Sequence, residues 1–461
     1  MVSVGRHENI TLLSYSEVES VSGYVGNFDV QVRKKARYVD EDLCTGCGTC
    51  VEKCPWKKIP SEFEMGLGTR TAIYFPFAQA VPRVPVIDTE NCAYFKNGKC
   101  RACEKFCQTG AINFEQQDEL IDIEVGTIIL ATGFHDFNPQ KTPQYGYGNG
   151  NGTPKFDNVL TSMEFERLIN SGGPTAGEVR LKNGEMPRKI AILHCVGSRD
   201  TETHEYCSRV CCMYSLKLAE LARDYIGAEV VEFYRDMRTF GKGYEAFYER
   251  VHENGVHFTR FDKDIQVSRQ NGHLIVSTQD VFSGEAIDEQ VDMVVLSTGI
   301  EPNVDQAEVA RVFGVSLSPD GFFLEKHPKL APVETATDGV FLAGACQSPK
   351  DIPDSVAQGG AAAAVALSML DAGQVELEPF TTYIDTTKCG GCRTCEGLCP
   401  YNAIEMIHEE GRLVAHVIDV LCKGCGACAA ACPAQAAIQH GFTQDQILAE
   451  IEGALMDALA L

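Results

Sequence analysis

The chain has 461 residues, 44% of them hydrophobic, with 21 cysteines and a formal net charge of −24. Charge of this sign argues against a nucleic-acid partner, whose phosphates it repels. No apolar run nears the roughly 20 residues that span a bilayer, and no basic-then-apolar leader opens the chain. Both point to the cytoplasm, where thiols stay reduced and cysteines favour metal ligation over disulfides.

Residues 1–35 predict short strands at 10–14, 18–21 and 28–32, with turns at Gly23 and Gly26. A cysteine-dense block follows at 38–114, then a buried strand at 125–133 that ends in Ala131-Thr132-Gly133. A loop rich in Gly, Asn and Pro at 138–155 leads to a helix at 162–170. From 187 to 291 strand and helix alternate. Strands fall at 190–194, 229–234 and 257–261, with a hairpin of 265–268 and 274–278. Helices fall at 207–223 and 244–253. Two further buried strands, 292–299 and 338–345, precede an alanine-rich helix at 355–370. A second cysteine-dense block spans 381–439, and a last amphipathic helix carries Ile447, Leu448, Ile451, Leu455 and Leu459 on one face. That helix either docks a partner or packs on its own ferredoxin-type domain.

The two cysteine blocks repeat one motif. Cys44, Cys47, Cys50 and Cys54-Pro55 read C-x2-C-x2-C-x3-C-P, as do Cys389, Cys392, Cys395 and Cys399-Pro400, and Cys422, Cys425, Cys428 and Cys432-Pro433. This run is the two-cluster ferredoxin signature, in which the fourth cysteine serves the other cluster. Crosswise ligation follows. Cys44, Cys47, Cys50 and Cys107 hold one [4Fe–4S] cluster, and Cys92, Cys100, Cys103 and Cys54 its neighbour. Cys389, Cys392, Cys395 and Cys432 hold the third, and Cys422, Cys425, Cys428 and Cys399 the fourth. The second motif departs from the pattern, with seven residues between Cys92 and Cys100 and Gln108 in place of proline. Its extra residues, 93–99, fit a surface turn around Asn97-Gly98. The competing zinc reading expects two-and-two spacing, and triplets closed by Cys-Pro do not match it.

Between the blocks, Cys195, Cys207, Cys211 and Cys212 lie where a strand runs into a turn and a helix. A dinucleotide fold keeps its phosphate loop at that place, but the expected G-x-G-x-x-G is absent. Four cysteines within 18 residues point to a fifth cluster in the position of a nicotinamide site; buried core thiols are the alternative. His194 and His204 are read as core or surface histidines rather than ligands. Five clusters account for 20 thiolates, which leaves Cys346 as a small buried residue.

The strands ending in Thr132-Gly133 and Thr298-Gly299, with Gly-Val-Phe-Leu-Ala-Gly at 339–344, resemble two-dinucleotide flavoproteins of the thioredoxin-reductase kind. That resemblance implies an α/β core and a helix, beginning near Pro353-Asp354-Ser355, whose N-terminus faces FAD. It implies flavin contacts at Thr132, Gly133, Gly344, Ala345, Lys350, Ile352, Pro353, Ser355 and Gln358. The pyrophosphate loop that should come first is missing before Cys44. With Met1 at its head, the chain is expected to start partway through the flavin domain, and a partner chain to supply the missing half.

Glu17–Phe28, Cys44–Pro55, Pro82–Asp88, Cys195–Tyr214 and Pro349–Gly359 together resemble the HdrA family, the flavin- and cluster-bearing component of heterodisulfide reductase; the segment Cys207-Ser-Arg-Val-Cys-Cys-Met-Tyr214 is specific to that family and its relatives. The resemblance covers the whole chain but not the family's N-terminal cluster domain or the first part of its FAD domain. It implies a flavin-binding domain from 1–36, 115–185 and 300–372, an inserted two-cluster domain at 37–114, and a cluster-bearing NAD-domain-like unit at 186–299. A C-terminal two-cluster domain at 380–440 and a helix at 441–461 complete it. It implies five [4Fe–4S] clusters, FAD shared with a partner chain, other redox subunits, ferredoxin as a partner, and a dimer of heteromers. The activity implied is that of an oxidoreductase subunit in which FAD splits electron pairs between a high-potential acceptor and low-potential ferredoxin. The competing reading is a flavin-less wire that feeds another reductase, such as an aromatic acyl-CoA reductase complex.

Overall fold

The computed structural model describes residues 2–148, 155–262 and 264–459, with side chains through 455. The stretch 149–154 of the expected loop and the Leu459 side chain lie outside them.

A five-stranded parallel sheet forms the centre, in the order Val159–Thr161, Met293–Thr298, Lys189–Val196, Glu229–Tyr234, His257–Arg260. Parallel sheets are covered on both faces, so their strands read as unbroken apolar runs. Accordingly Ile190, Ala191, Ile192 and Leu193 are fully buried. Helices Ser162–Ile169, Cys211–Leu221 and Tyr244–Glu253 supply Phe165, Leu216, Ala219 and Val251 to the core on one face. An antiparallel sheet of Ile265–Gln270, His273–Gln279 and Ala286–Val291 covers the other through Val267, Val276 and Val291. The expected hairpin thus has a third strand. Its sequence, Ala-Ile-Asp-Glu-Gln-Val, is too polar to register as a buried run, because its outward side chains face solvent.

The second body pairs Ser16–Tyr24 with Asn27–Lys34 and then with Glu119–Val125, all antiparallel. Residues 10–14, expected as a strand, form none: Ile10 and Leu12 are exposed and have no strand partner. The expected strand 125–133 is two strands in different sheets. The break falls at Gly126, where a Cβ would lie 2.5 Å from Leu370 Cδ2. Beyond it, Ile128–Leu130 runs parallel to Val340–Leu342, and helix Ile352–Ala372 packs on this pair through Ala362 and Ala366. That helix starts three residues before the expected Ser355, because Asp351 caps it by accepting from Asp354 N at 2.9 Å and Pro353 fits its first turn.

Each cysteine-dense block is a small domain whose core mixes its own thiols with a few aliphatic and aromatic side chains. The first buries Cys50, Cys54, Cys92 and Cys103 with Val39, Ile73, Ile87, Ile112 and Phe114. Its residues 93–99 are more than a turn. Ala93–Asn97 is a short helix closed by Gly98 in the left-handed region, and it stacks Tyr94 on Phe114. The second pairs Thr382–Ile384 with Ala437–Gln439 beside a hairpin of Ile404–Glu409 and Arg412–Val417. It docks on the core through Val420 and an ion pair between Lys423 and Asp338. The final helix, Gln444–Leu459, leaves Ile447, Leu448, Ile451 and Leu455 exposed rather than packing them on that domain. No helix among the described residues is long and apolar enough to cross a membrane.

Candidate functional site: a cysteine-bearing bulge beside a helix N-terminus

The central strand Lys189–Val196 ends in a bulge. Its register with Met293–Thr298 shifts between Leu193 and Val196, and Cys195 takes φ = 60° although it is not glycine. A bulge re-aims a side chain, and strain of this kind gathers at functional sites. It occurs at the carboxyl end of the sheet, where open α/β folds bind ligands. The chain then loops back and enters helix Cys211–Leu221 with Cys211 and Cys212 in its first turn. The expected helix from 207 therefore begins later. Cys207 stays in the loop, with its Sγ accepting from Arg209 N at 3.4 Å.

The neighbouring strand holds this loop in place. Ile300 N donates to Ser208 Oγ at 2.9 Å, Tyr214 OH donates to Thr298 O at 2.8 Å, and the Ser215 and Ser297 hydroxyls lie 2.6 Å apart. A Cβ on Gly299 would sit 2.8 Å from Ser208 Oγ, so only glycine leaves room for the loop. The Ser297-Thr298-Gly299 strand end thus clamps the cysteine loop.

The thiols act on one another. Burial pushes Cys211 well above the ordinary thiol range, and neighbouring Cys195, Cys212 and Cys207 add to it. Burial also raises Cys195, against the pull of His194, Arg199 and Arg235. At Cys212 burial works upward, but the positive charge of neighbouring His194 outweighs it and leaves the thiol below its ordinary value. Arg199 Nη1, Arg235 Nε and Ser198 Oγ are buried with no partner among the described residues. Orphaned donors of this kind require an explanation. Cluster sulfides held by Cys195, Cys207, Cys211 and Cys212 would accept their hydrogen bonds, so donors and ligands both fit a cluster. Sequence reasoning missed these residues because a lone Arg or Ser carries no pattern.

The two ferredoxin-type domains bring the other cysteines into groups. Cys44, Cys47, Cys50 and Cys107 line one cavity of about 210 Å³. Cys92 has Cys100 and Cys54 as its neighbouring thiols, and burial pushes Cys103 up to about 12, with Cys92 and Cys54 adding. In the C-terminal domain Cys389, Cys392, Cys395 and Cys432 line a smaller cavity. Cys428 neighbours Cys422 and Cys399. Backbone N–H groups already point at sulfur: Ala111 to Cys107 at 3.3 Å, Ala403 to Cys399 at 3.3 Å and Ala436 to Cys432 at 3.2 Å. Cys346 is fully buried, with its thiol 3.3 Å from the carbonyls of Leu130 and Ala343.

The expected flavin residues gather at the N-terminus of helix Ile352–Ala372. Gly344 N donates to Gln358 Oε1 at 2.7 Å, and Ser355 Oγ donates to Asp351 O at 2.8 Å. Lys350 Nζ donates to Gln347 Oε1 and to Ser348 Oγ at 2.5 and 2.6 Å, and burial lowers its pKa. Ala345 is buried, whereas Ile352 is 79% exposed. The Thr132 carbonyl accepts from Asn303 Nδ2 at 2.8 Å, and Gly133, at φ = 79°, has open space where a Cβ would point. The two sites touch. Arg209, from the cysteine loop, pairs with Asp354 at 2.6 Å, and Tyr244 OH donates to Asp351 at 3.2 Å.

Two family models match, a 4Fe-4S dicluster domain at 388–436 and a 4Fe-4S binding domain at 37–57. Two ferredoxin-type domains attached to a dinucleotide-fold core define an iron–sulfur oxidoreductase subunit. The chain is 48% identical to HdrA of Methanocaldococcus jannaschii, an iron-sulfur component of CoB–CoM heterodisulfide reductase, over 99% of its own length and 68% of the relative's. It is 50% identical to a second such component, from Methanopyrus kandleri, over 99% and 69%. The corresponding chain of the H(2)/formate:CoB-CoM heterodisulfide,ferredoxin reductase of Methanococcus maripaludis is 46% identical, over 100% and 69%. The chain belongs to the HdrA family of heterodisulfide reductases. Among solved structures, the thioredoxin reductase of T. acidophilum shares 14% identity over 56% of this chain and 70% of its own, with a TM-score of 0.35, too slight a likeness to bear on the site.

Proposed function

We propose that this chain moves electrons between FAD and five [4Fe–4S] clusters within a multi-subunit heterodisulfide-reductase-type complex, with ferredoxin as one electron partner. Four clusters lie in the two ferredoxin-type domains, ligated crosswise, and the fifth on Cys195, Cys207, Cys211 and Cys212. FAD, when bound, supplies the exchange between electron pairs and single electrons that bifurcation requires.

This chain's own residues prepare that exchange. The helix that starts at Ile352 directs the positive end of its dipole toward an anionic cofactor. Lys350, half-buried, adds a cation there. The pair Arg209–Asp354 ties the loop of the fifth cluster to the flavin edge. This direct tie is the observation that carries the proposal, because it brings a pair acceptor next to a single-electron carrier.

The flavin site also needs more chain. Among the described residues only two strands, Ile128–Leu130 and Val340–Leu342, form the parallel sheet under the helix. The helix itself exposes Ile352, Val356 and Leu367 at 79%, 70% and 67%. Apolar exposure beside an open parallel edge supports completion of the flavin fold by further chain. The names of the relatives, heterodisulfide and ferredoxin reductase components, support the same reading.

The test is the flavin and iron stoichiometry of the intact complex. The proposal expects about one FAD and about 20 iron atoms per chain. Full iron with no flavin would instead establish a wire that feeds another reductase.

A further inference from the structure

Beneath the central cysteines lies a charged pair that electron transfer as described above does not use. His194 Nε2 and Glu232 Oε2 are 2.8 Å apart, and both side chains are completely buried. His194 precedes the bulge in the central strand, and Glu232 is in the adjacent parallel strand, between Val231 and Phe233. A carboxylate and an imidazole in such a place are expensive to desolvate, and replacing a buried pair with apolar residues often stabilises a protein. Stability is therefore a poor explanation for them. Each also keeps an unsatisfied atom, His194 Nδ1 and Glu232 Oε1. The Cys212 thiol is a second neighbour of His194, close enough to feel its charge, and the orphaned Nδ1 is the ring atom left free to serve it. The ring thus spans the carboxylate on one side and a cluster ligand on the other.

We propose that Glu232 and His194 form a relay that positions an N–H donor on the Cys212 sulfur and thereby sets the reduction potential of the central cluster. This rests on the reading of Cys195, Cys207, Cys211 and Cys212 as a cluster site. Glu232 accepts from Nε2, which leaves the buried, unpartnered Nδ1 as the ring's free donor. Partners of this type, which orient a group at a metal centre, are the general means of tuning it. A donor on a ligand sulfur favours the reduced, more negative cluster, and hydrogen bonds to sulfur are among the determinants of cluster potential. His194 is here a positioning residue that acts through Cys212. Arg199 and Arg235 act on the same cluster from the loop and from the strand end.

The experiment is an anaerobic redox titration of the iron-loaded complex, followed by electron paramagnetic resonance. The signal lost in Cys211→Ser identifies the central cluster. The double variant His194→Leu/Glu232→Leu removes the pair without stranding one charge. It should lower the midpoint of the central cluster and leave the other four unmoved. Glu232→Gln keeps the volume and should lower the same midpoint by less. If the double variant loses iron, Glu232→Gln alone decides. A central midpoint unchanged in Glu232→Gln and in an iron-replete double variant overturns the relay. If Cys211→Ser loses no signal relative to the unmodified complex, the cluster assignment itself fails, a result distinct from an unmoved potential.

Discussion

Gly197→Ala tests whether the bulge that aims Cys195 is as tightly constrained as its geometry indicates. Gly197 has φ = 79°, and a Cβ there would lie 2.1–2.4 Å from three ring atoms of Phe137. Holding an alanine in the left-handed region costs about 1–2 kcal/mol. The overlap cannot be relieved by a flexible tip, because Phe137 is 2% exposed within the core beside the central sheet. Its backbone is also fixed, its N–H donating to Gly299 O at 2.9 Å. Overpacking of this kind costs about 1–3 kcal/mol more. The control is Gly272→Ala, at φ = 89° in a hairpin tip with nothing within 4 Å of the added Cβ. It carries the strain alone. The two variants should therefore differ by about 1–3 kcal/mol, some 2–12 °C in the unfolding midpoint of a domain this size. Because Gly299 clamps Ser208, displacement of Phe137 should also reach the cysteine loop, and Gly197→Ala should lose about four iron atoms per chain while the control keeps them. Scanning calorimetry with iron analysis reads both effects. Equal midpoints and equal iron in the two variants would refute the argument.

Cys54→Ser should remove the cluster assigned to Cys92, Cys100 and Cys103 and spare the one assigned to its own motif; resonance spectra with iron counts decide, and loss of the other cluster would replace crosswise ligation with ligation within the motif. Oxidative removal of iron should unfold the two ferredoxin-type domains, whose small cores are built around the proposed ligand thiols. The five-stranded sheet, with its aliphatic core, should persist, and limited proteolysis should show a resistant central fragment. Lys423→Ala should loosen the C-terminal domain by about 1–3 kcal/mol, since the pair with Asp338 is mostly shielded from solvent; faster cleavage in the 373–380 linker is the readout. Cys346→Ala should leave the iron content unchanged and cost about 1 kcal/mol, as an ordinary core truncation does.

The cysteine spacings made most of the proposed site legible in the sequence, because ligation around a cubane fixes the interval between thiolates and little else. The same logic covered Cys346, which the count left over and the fold buries. What could not be read depended on contacts across the chain. Residues 125–133 look like one apolar strand, and the break between two sheets falls at Gly126, which Leu370 approaches from a helix distant in sequence. The strand Ala286–Val291 was hidden because its outward side chains are polar. The final helix has a clear apolar face, and periodicity alone gave no reason for that face to remain in solvent.

On the proposed reading, the central site is a nucleotide-type position given to a different chemistry with few changes. A parallel strand, a turn and a helix N-terminus meet at the carboxyl edge of the sheet, as they would for a dinucleotide. A phosphate loop needs glycines so that backbone N–H groups can approach oxygen. Here the space goes to sulfur, and the glycines have moved to Gly197 and Gly299, where they let Phe137 and Ser208 close around the loop. Helix Cys211–Leu221 still directs the positive end of its dipole at the site, but toward thiolates, which such an end also stabilises. Arg199, Arg235 and His194 add positive charge or donors that an incoming pyrophosphate would otherwise have to share. The position therefore gathers four thiols with positive groups beside them, an arrangement that suits the proposed resident cluster better than a diffusing nucleotide.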